Sequence, residues 1–265
     1  MRVGLIGCGN MARALARGWG RPLLCADPIA QRARNLAAEV GGEALASNAE
    51  VAARADLLVL CHKPVQLASV AAQIGPGTTP VASILAATPL AALREAYPGR
   101  AVYRFIPSLP VEVRQGAVVQ AAGSGAQAGS GAGADRGSEL DASVAALFAE
   151  LGTLVVLDDA LVDVATGLMS CAPAYVALVA EAQVDAGVRR GIPAAQGAEL
   201  VVQTLAGTAE LLRRRGYDTL AVRREVASPG GLTARGVDAL ERAGVRRAFS
   251  DALDAVLEPG GDAGR

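Results

Sequence analysis

The chain has 265 residues, a formal net charge of −1 and a composition that is 52% apolar but only 3% aromatic. A chain of this length buries a sizeable core and reads as two domains. The near-zero charge gives no sign of a nucleic-acid-binding surface or an anionic-membrane surface. With so few aromatic residues, the core must be built from Ala, Val and Leu.

The chain opens on an apolar strand, Arg2–Ile6, which runs directly into Gly7-x-Gly9-x-x-Ala12 and a helical pattern, Met11–Trp19. Gly7 permits the tight turn, Gly9 lets backbone approach phosphates, and Ala12 lets the helix pack close to the strand. The helix N-terminus adds free amides and a positive dipole end, so a dinucleotide pyrophosphate fits here. A second strand, Leu23–Ala26, ends in Asp27, twenty residues after Gly7. A carboxylate there accepts from ribose hydroxyls and repels a 2′-phosphate, which leans towards NAD over NADP. Its competing role is to cap the helix that begins near Pro28.

Strand and helix then alternate. A helix, Ala30–Glu39, and a short one opened by Asn48-Ala-Glu50 precede the strand Leu57–Leu60. Helix Val65–Ile74, strand Val81–Ile84, helix Leu90–Tyr97 and strands Ala101–Phe105 and Ala117–Gln120 follow. This rhythm predicts an α/β fold, a doubly wound, mostly parallel sheet of the Rossmann type over residues 1–157. His62-Lys63-Pro64 follows the third strand, at the carboxyl edge where such sheets bind ligands. Lys63 and His62 are the chain's single lysine and histidine. Lys63-Pro64 is read as cofactor-facing; His62 has the pKa range of a proton donor, but an incidental place in the loop is the preferred reading. In Phe105-Ile-Pro-Ser-Leu-Pro110, two prolines fix the path and Ser108 offers a hydroxyl towards the nicotinamide end, unless this is an ordinary strand-ending loop.

Residues 121–137 are dominated by Ala, Gly and Ser without periodicity and read as a flexible surface excursion. Helix Glu139–Leu151 and strand Leu154–Leu157 resume the first domain. Beyond it, residues 158–265 form an all-α domain. Its helical stretches are Asp159–Arg190, interrupted by Gly167 and Pro173, then Ala194–Arg215, Leu220–Ala227, Leu232–Ala243 and Arg246–Leu257. Their Ala- and Val-rich faces are too extensive for a free-standing bundle and predict an intimate homodimer. Ser228-Pro-Gly-Gly-Leu-Thr233 precedes one of these helices, so its amides converge as a carboxylate receptor, with Thr233 placed to donate to the substrate. A plain inter-helix turn explains the Pro and Gly but not the whole grouping.

The four cysteines, Cys8, Cys25, Cys61 and Cys171, show no C-x-x-C spacing. They read as buried free thiols in a reducing cytoplasm, and one histidine does not make a zinc site. The N-terminus lacks a signal-peptide pattern, and no apolar run reaches bilayer-spanning length.

Together these pieces resemble the pyrroline-5-carboxylate reductase family over nearly the full length. The carriers are Gly7-Cys-Gly-Asn-Met-Ala12, His62-Lys-Pro64 with Gln66, Thr166-Gly-Leu168, Pro173-Ala-Tyr175, and above all Val226-Ala-Ser-Pro-Gly-Gly-Leu-Thr233 with Leu240-Glu241. The resemblance implies NAD(P)H-dependent reduction of 1-pyrroline-5-carboxylate to L-proline in proline biosynthesis. It also implies a helical dimerisation domain and, in many members, rings of dimers. By position, Gly9, Asn10, Met11, Lys63, Pro64 and Ala86 would line the cofactor, and Gly230, Gly231 and Thr233 would hold the substrate beside Ser228. Three departures stand out: Ser108 where the family usually has Asn, Met169-Ser-Cys-Ala172 where it has Ser-Gly-Ser-Gly, and Asp27 where NADP-preferring members carry a neutral residue. Two other readings stay open, a paralogue reducing another small imine and a cofactor-binding regulatory protein without catalysis.

Overall fold

The computed structural model describes residues 1–125 and 132–258. Residues 126–131 of the excursion expected at 121–137 therefore lie outside the described residues; of the rest, Ala121 ends a strand and 132–137 begin a helix. By compactness the chain divides into two units, Met1–Pro173 and Ala174–Arg265.

The first unit is a sheet of eight strands with helices on both faces. Its elements begin β1 (Val3–Ile6), α1 (Asn10–Trp19), β2 (Leu24–Ala26), α2 (Ala30–Val40), β3 (Glu43–Ala44), α3 (Asn48–Arg54) and β4 (Leu57–Leu60). They continue with α4 (Leu67–Ile74), β5 (Val81–Ser83), α5 (Leu90–Ala96), β6 (Val102–Pro107), β7 (Gly116–Ala121), α6 (Ala132–Ala149) and β8 (Gly152–Leu157). The strand order is β3-β2-β1-β4-β5-β6-β7-β8. Every pairing is parallel except β6 with β7. That exception follows from the connection: Ser108–Gln115 holds no crossover helix of the length a parallel pairing needs, so the chain folds straight back. β3 is a two-residue strand that the sequence pattern did not announce; its Glu43 amide bonds to Leu23 O at 2.9 Å.

β1 and β4 are buried at every residue, as expected for strands covered on both faces. One apolar layer gathers Trp19, Tyr103, Phe105 and Phe148. Phe105 stacks on Phe148 with centroids 3.8 Å apart, and Trp19 meets Phe148 edge-on at 5.6 Å. The Trp19 indole donates to Leu147 O at 2.9 Å, satisfying its one polar atom. The opposite layer packs Ile6, Leu60, Leu85 and Ile106 with Val162 and Ala165.

After β8 the chain is helical: α7 (Val162–Ala165), α8 (Ala172–Val188), α9 (Ala194–Arg214), α10 (Thr219–Val226), α11 (Leu232–Arg242) and α12 (Val245–Leu257). Between α7 and α8, residues Thr166–Ser170 widen into a π-turn, in which the Cys171 amide bonds to Thr166 O at 3.1 Å. The stretch Asp159–Val188 is long and apolar enough to cross a membrane by length and composition, with mean hydropathy 1.5. This corrects the expectation that no such stretch exists. Gly167 is absorbed by the π-turn, and Pro173 stands in the first turn of α8, where a missing amide breaks no helical bond. In the second unit α8 buries no residue, and Val176, Leu178, Leu200 and Val202 are exposed.

Candidate active site

Gly7 sits at the end of β1 with φ +96°, a left-handed conformation that L side chains rarely adopt. A Cβ there would lie 2.9 Å from the carbonyl of Cys61, so the turn needs glycine twice over. Gly9 caps α1 in extended conformation, and a Cβ on it would meet no protein atom within 4 Å. No side chain caps α1, and its first turn holds no acid. The result is a bare helix N-terminus beside open space, the arrangement that receives an anionic group. Asn10 lines a cleft of about 380 Å³ on this side with Arg13, Arg32 and Asn35. Met11 is half-buried and packs on the core.

Asp27 meets this turn directly. Its Oδ2 accepts from the Cys8 amide at 2.8 Å and its Oδ1 from the Ile29 amide at 2.8 Å. The carboxylate therefore latches the glycine turn and also steers entry into α2. Two of its lone-pair sites remain open, and it lines a cavity of about 370 Å³ with Gly7, Gly9, Arg32, Asn48, His62 and Lys63. Arg32 carries no ion pair among the described residues. A larger cavity, about 700 Å³, lies elsewhere, at the C-terminal ends of α4 and α5 among mostly Ala, Leu and Pro. It lacks the glycine turn's amides and carries no chemistry of this kind.

The loop after β4 brings Lys63 to the same cavity. Lys63 is extended, as the residue before a proline must be, and Pro64 opens a short 3₁₀ turn, Pro64–Gln66. The Gln66 side chain accepts the Lys63 amide at 3.0 Å and fixes the loop. His62 Nδ1 donates to Lys63 O at 2.9 Å, which leaves Nε2 as a bare, buried lone pair with no partner. Burial pushes its pKa below the ordinary value. A neutral, occluded imidazole does not serve as a proton donor at neutral pH.

Ala86 is exposed in the loop between β5 and α5, and Ala87 beside it has φ +50°, a strained value for a residue with a Cβ. Ser108 is placed differently from expectation. It is buried, and its hydroxyl donates to Ala117 O at 3.1 Å and accepts from Ala117 N at 2.9 Å. That hydroxyl holds β6 to β7 instead of facing a ligand.

In the second unit, Ser228-Pro229-Gly230-Gly231 forms a tight turn. Gly231 N donates to Ser228 O at 3.0 Å, and Gly230 has φ +68°, so Pro at the second position and Gly at the third make a type II turn. Gly231 then caps α11 without a side-chain bond. Ser228 and Thr233 are exposed, and neither hydroxyl has a hydrogen-bond partner among the described residues. Bare amides and two free hydroxyls converge on one turn.

Comparison with known proteins bears on the chain as a whole. Residues 159–260 match the family model for pyrroline-5-carboxylate reductase dimerisation, and residues 2–87 match NADP oxidoreductase, coenzyme F420-dependent. Pyrroline-5-carboxylate reductase of Thermus thermophilus is 34% identical over 100% of this chain and 99% of its own length. The chain belongs to the pyrroline-5-carboxylate reductase family. The solved 1-pyrroline-5-carboxylate reductase of Streptococcus pyogenes is 26% identical with TM-score 0.84, covering 97% of this chain and 96% of that one. The NADP-bound pyrroline carboxylate reductase of Plasmodium falciparum, 24% identical with TM-score 0.81 over 97% and 95% of the two chains, shares the fold.

Met169 packs against the apolar layer of the first unit. Arg32, Asn48, Ser69 and Gln73 also line the cavity and were not singled out from sequence. Arg32 had a signal, since it lies in the first turn of the helix that follows the strand-ending Asp27; the others come from two further elements, Asn48 from α3 and Ser69 and Gln73 from α4.

Proposed function

We propose that this chain reduces 1-pyrroline-5-carboxylate to L-proline with NAD(P)H, as an oxidoreductase acting on a C=N bond. The observation that carries it is the pairing, within one member of this family, of a bare glycine turn at the sheet's carboxyl edge with the Ser228–Thr233 turn. The dinucleotide fits the first site: Gly9 leaves open space, α1 presents uncapped amides, and Asp27, Arg32, Asn48 and Lys63 line the adjoining cavity. When bound, the reduced nicotinamide supplies the hydride that reaches the imine carbon.

The residues do the rest by binding and orientation. Gly7, Gly9, Asn10 and Met11 form the pyrophosphate turn, while Lys63, Pro64 and Ala86 border it. Gly230 and Gly231 offer amides to the substrate carboxylate beside Ser228, and the Thr233 hydroxyl donates to the ring. A protonated imine is already electrophilic, so placement and electrostatics supply most of the acceleration. Asp27 leans the cofactor preference towards NADH, because its carboxylate stands where a 2′-phosphate would approach; Arg32 on the same wall opposes that lean. The exposed apolar faces of α8 and α9 pair with a second copy through the dimerisation region, and the four free thiols suit the cytoplasm.

Initial rates of NADH and NADPH oxidation with the cyclic imine test this reading. Saturable turnover with at least one cofactor is expected. No turnover with either, despite cofactor binding, would leave a non-catalytic role in its place.

A further inference from the structure

Arg104 lies in the middle of β6 with no exposed surface. A guanidinium stays charged, so its burial demands anions and acceptors at hand. Nη1 donates to Asp159 Oδ1 at 2.7 Å and to the Asp159 carbonyl at 3.1 Å, and Nη2 donates to Asp163 Oδ1 at 2.6 Å. Nε alone is buried without a partner. The other oxygen of Asp159 accepts the amide of Leu90 at 3.0 Å. Leu90 opens α5, directly after the loop that carries Ala86 and the strained Ala87.

A second tie lies further along the same segment. The Ser170 hydroxyl donates to Pro107 O, at the end of β6, at 3.1 Å. The segment from Asp159 to Ser170 is thus fastened to β6 at both ends, and the π-turn Thr166–Ser170 closes it. Such turns are frequent at functional sites. A buried cation is not needed for stability alone, because well-packed apolar residues of similar volume usually serve as well. What a two-armed guanidinium supplies is geometry: one group fixes two carboxylates and, through one of them, a third backbone element.

We propose that Arg104 is a positioning residue for imine reduction, setting the Ala86 loop and the π-turn in register with the carboxyl end of β6. This rests on the reductase reading above. Lysine in its place would keep the charge but grip one carboxylate at a time. Asparagine at Asp163, which is half-exposed, would keep an acceptor but remove the negative charge, weakening one arm with less disturbance of the core.

The test compares wild type, Arg104→Lys, Asp163→Asn and Asp163→Glu for kcat, KM, NADPH Kd by fluorescence, and thermal melting. Displaced reacting groups lower kcat by roughly tenfold to a hundredfold while NADPH Kd stays within about twofold. Folded Arg104→Lys and Asp163→Asn should show that split, and Asp163→Glu should restore part of kcat. Folded variants with wild-type kcat, or losses confined to KM, overturn the positioning role. Wild type without turnover overturns the reductase reading and this role with it, so the two failures are told apart. If Arg104→Lys does not fold, the Asp163 pair decides.

Discussion

Cys8 and Asp27 are joined across the ends of two neighbouring strands: the Cys8 amide donates to Asp27 Oδ2 at 2.8 Å. The middle residue of the glycine turn is therefore held by the side chain that closes β2. A residue expected to read the cofactor's ribose is also a part of the turn that receives its phosphates. Specificity and turn geometry are coupled here, and changing one changes the other.

Asp27→Ser should accordingly show two effects. Removing the carboxylate takes away repulsion of a 2′-phosphate, worth about 1 kcal/mol in watery surroundings and more in a partly enclosed site. The ratio of kcat/KM with NADPH to that with NADH should rise by about fivefold or more. The same change frees the Cys8 and Ile29 amides, so melting should fall by the equivalent of about 1–3 kcal/mol. An unchanged cofactor ratio with a lowered Tm would make Asp27 a latch alone.

Thr233→Ala separates binding from catalysis at the other site. Thr233 is exposed and its hydroxyl has no partner among the described residues, so its loss should leave Tm within about a degree, as for ordinary surface changes. If the hydroxyl donates to the substrate, kcat/KM for the imine should drop about tenfold, the size of one hydrogen bond in the site. NADPH Kd should not move. Equal losses in substrate turnover and cofactor binding would point to a misfolded turn.

Much of this was legible in the sequence because its cause is local. The strand Val3–Ile6, the turn at Gly7 and helix α1 are set by neighbouring residues, and so is the type II turn at Ser228–Gly231. What was not legible depends on distant partners. β3 is two residues long and exists because β2 offers it an edge. Arg104 was not singled out within the strand Ala101–Phe105, and its partners Asp159 and Asp163 stand more than fifty residues away. Ser108 was misread for the same reason: its place at the end of β6 suggested a ligand, but Ala117 on the returning strand takes its hydroxyl. The breakers were legible too: the interruption expected at Gly167 and Pro173 is the π-turn Thr166–Ser170 and the start of α8.

His62 gives a pH signature free of overlap, because it is the chain's single histidine. Burial holds its folded pKa below the ordinary value of 6.5, so the folded state takes up its proton later than the unfolded chain. The stability this costs is absent above pH 6.5 and accumulates as pH falls from 6.5 to the lowered value, then levels off. Wild type should lose Tm over that window, and His62→Gln should lose less. The lone imidazole resonance should titrate below pH 6.5 by NMR; a midpoint at or above it would contradict an occluded Nε2.

Gly7 and Gly9 provide the sharpest contrast, since they share a motif but not a constraint. A methyl at Gly7 would press on the Cys61 carbonyl at 2.9 Å and force φ +96° on an L residue, so Gly7→Ala should cost stability outright. A methyl at Gly9 would meet nothing of the protein, so Gly9→Ala should melt like wild type. The space it fills is where the phosphates approach. Its NAD(P)H affinity should fall by at least about tenfold, the loss expected when a steric clash replaces backbone contact with an anion. Titration of the two variants with NADH and NADPH, beside their melting curves, checks this. Full affinity in a folded Gly9→Ala protein would mean that the open side of this turn faces solvent and not a dinucleotide.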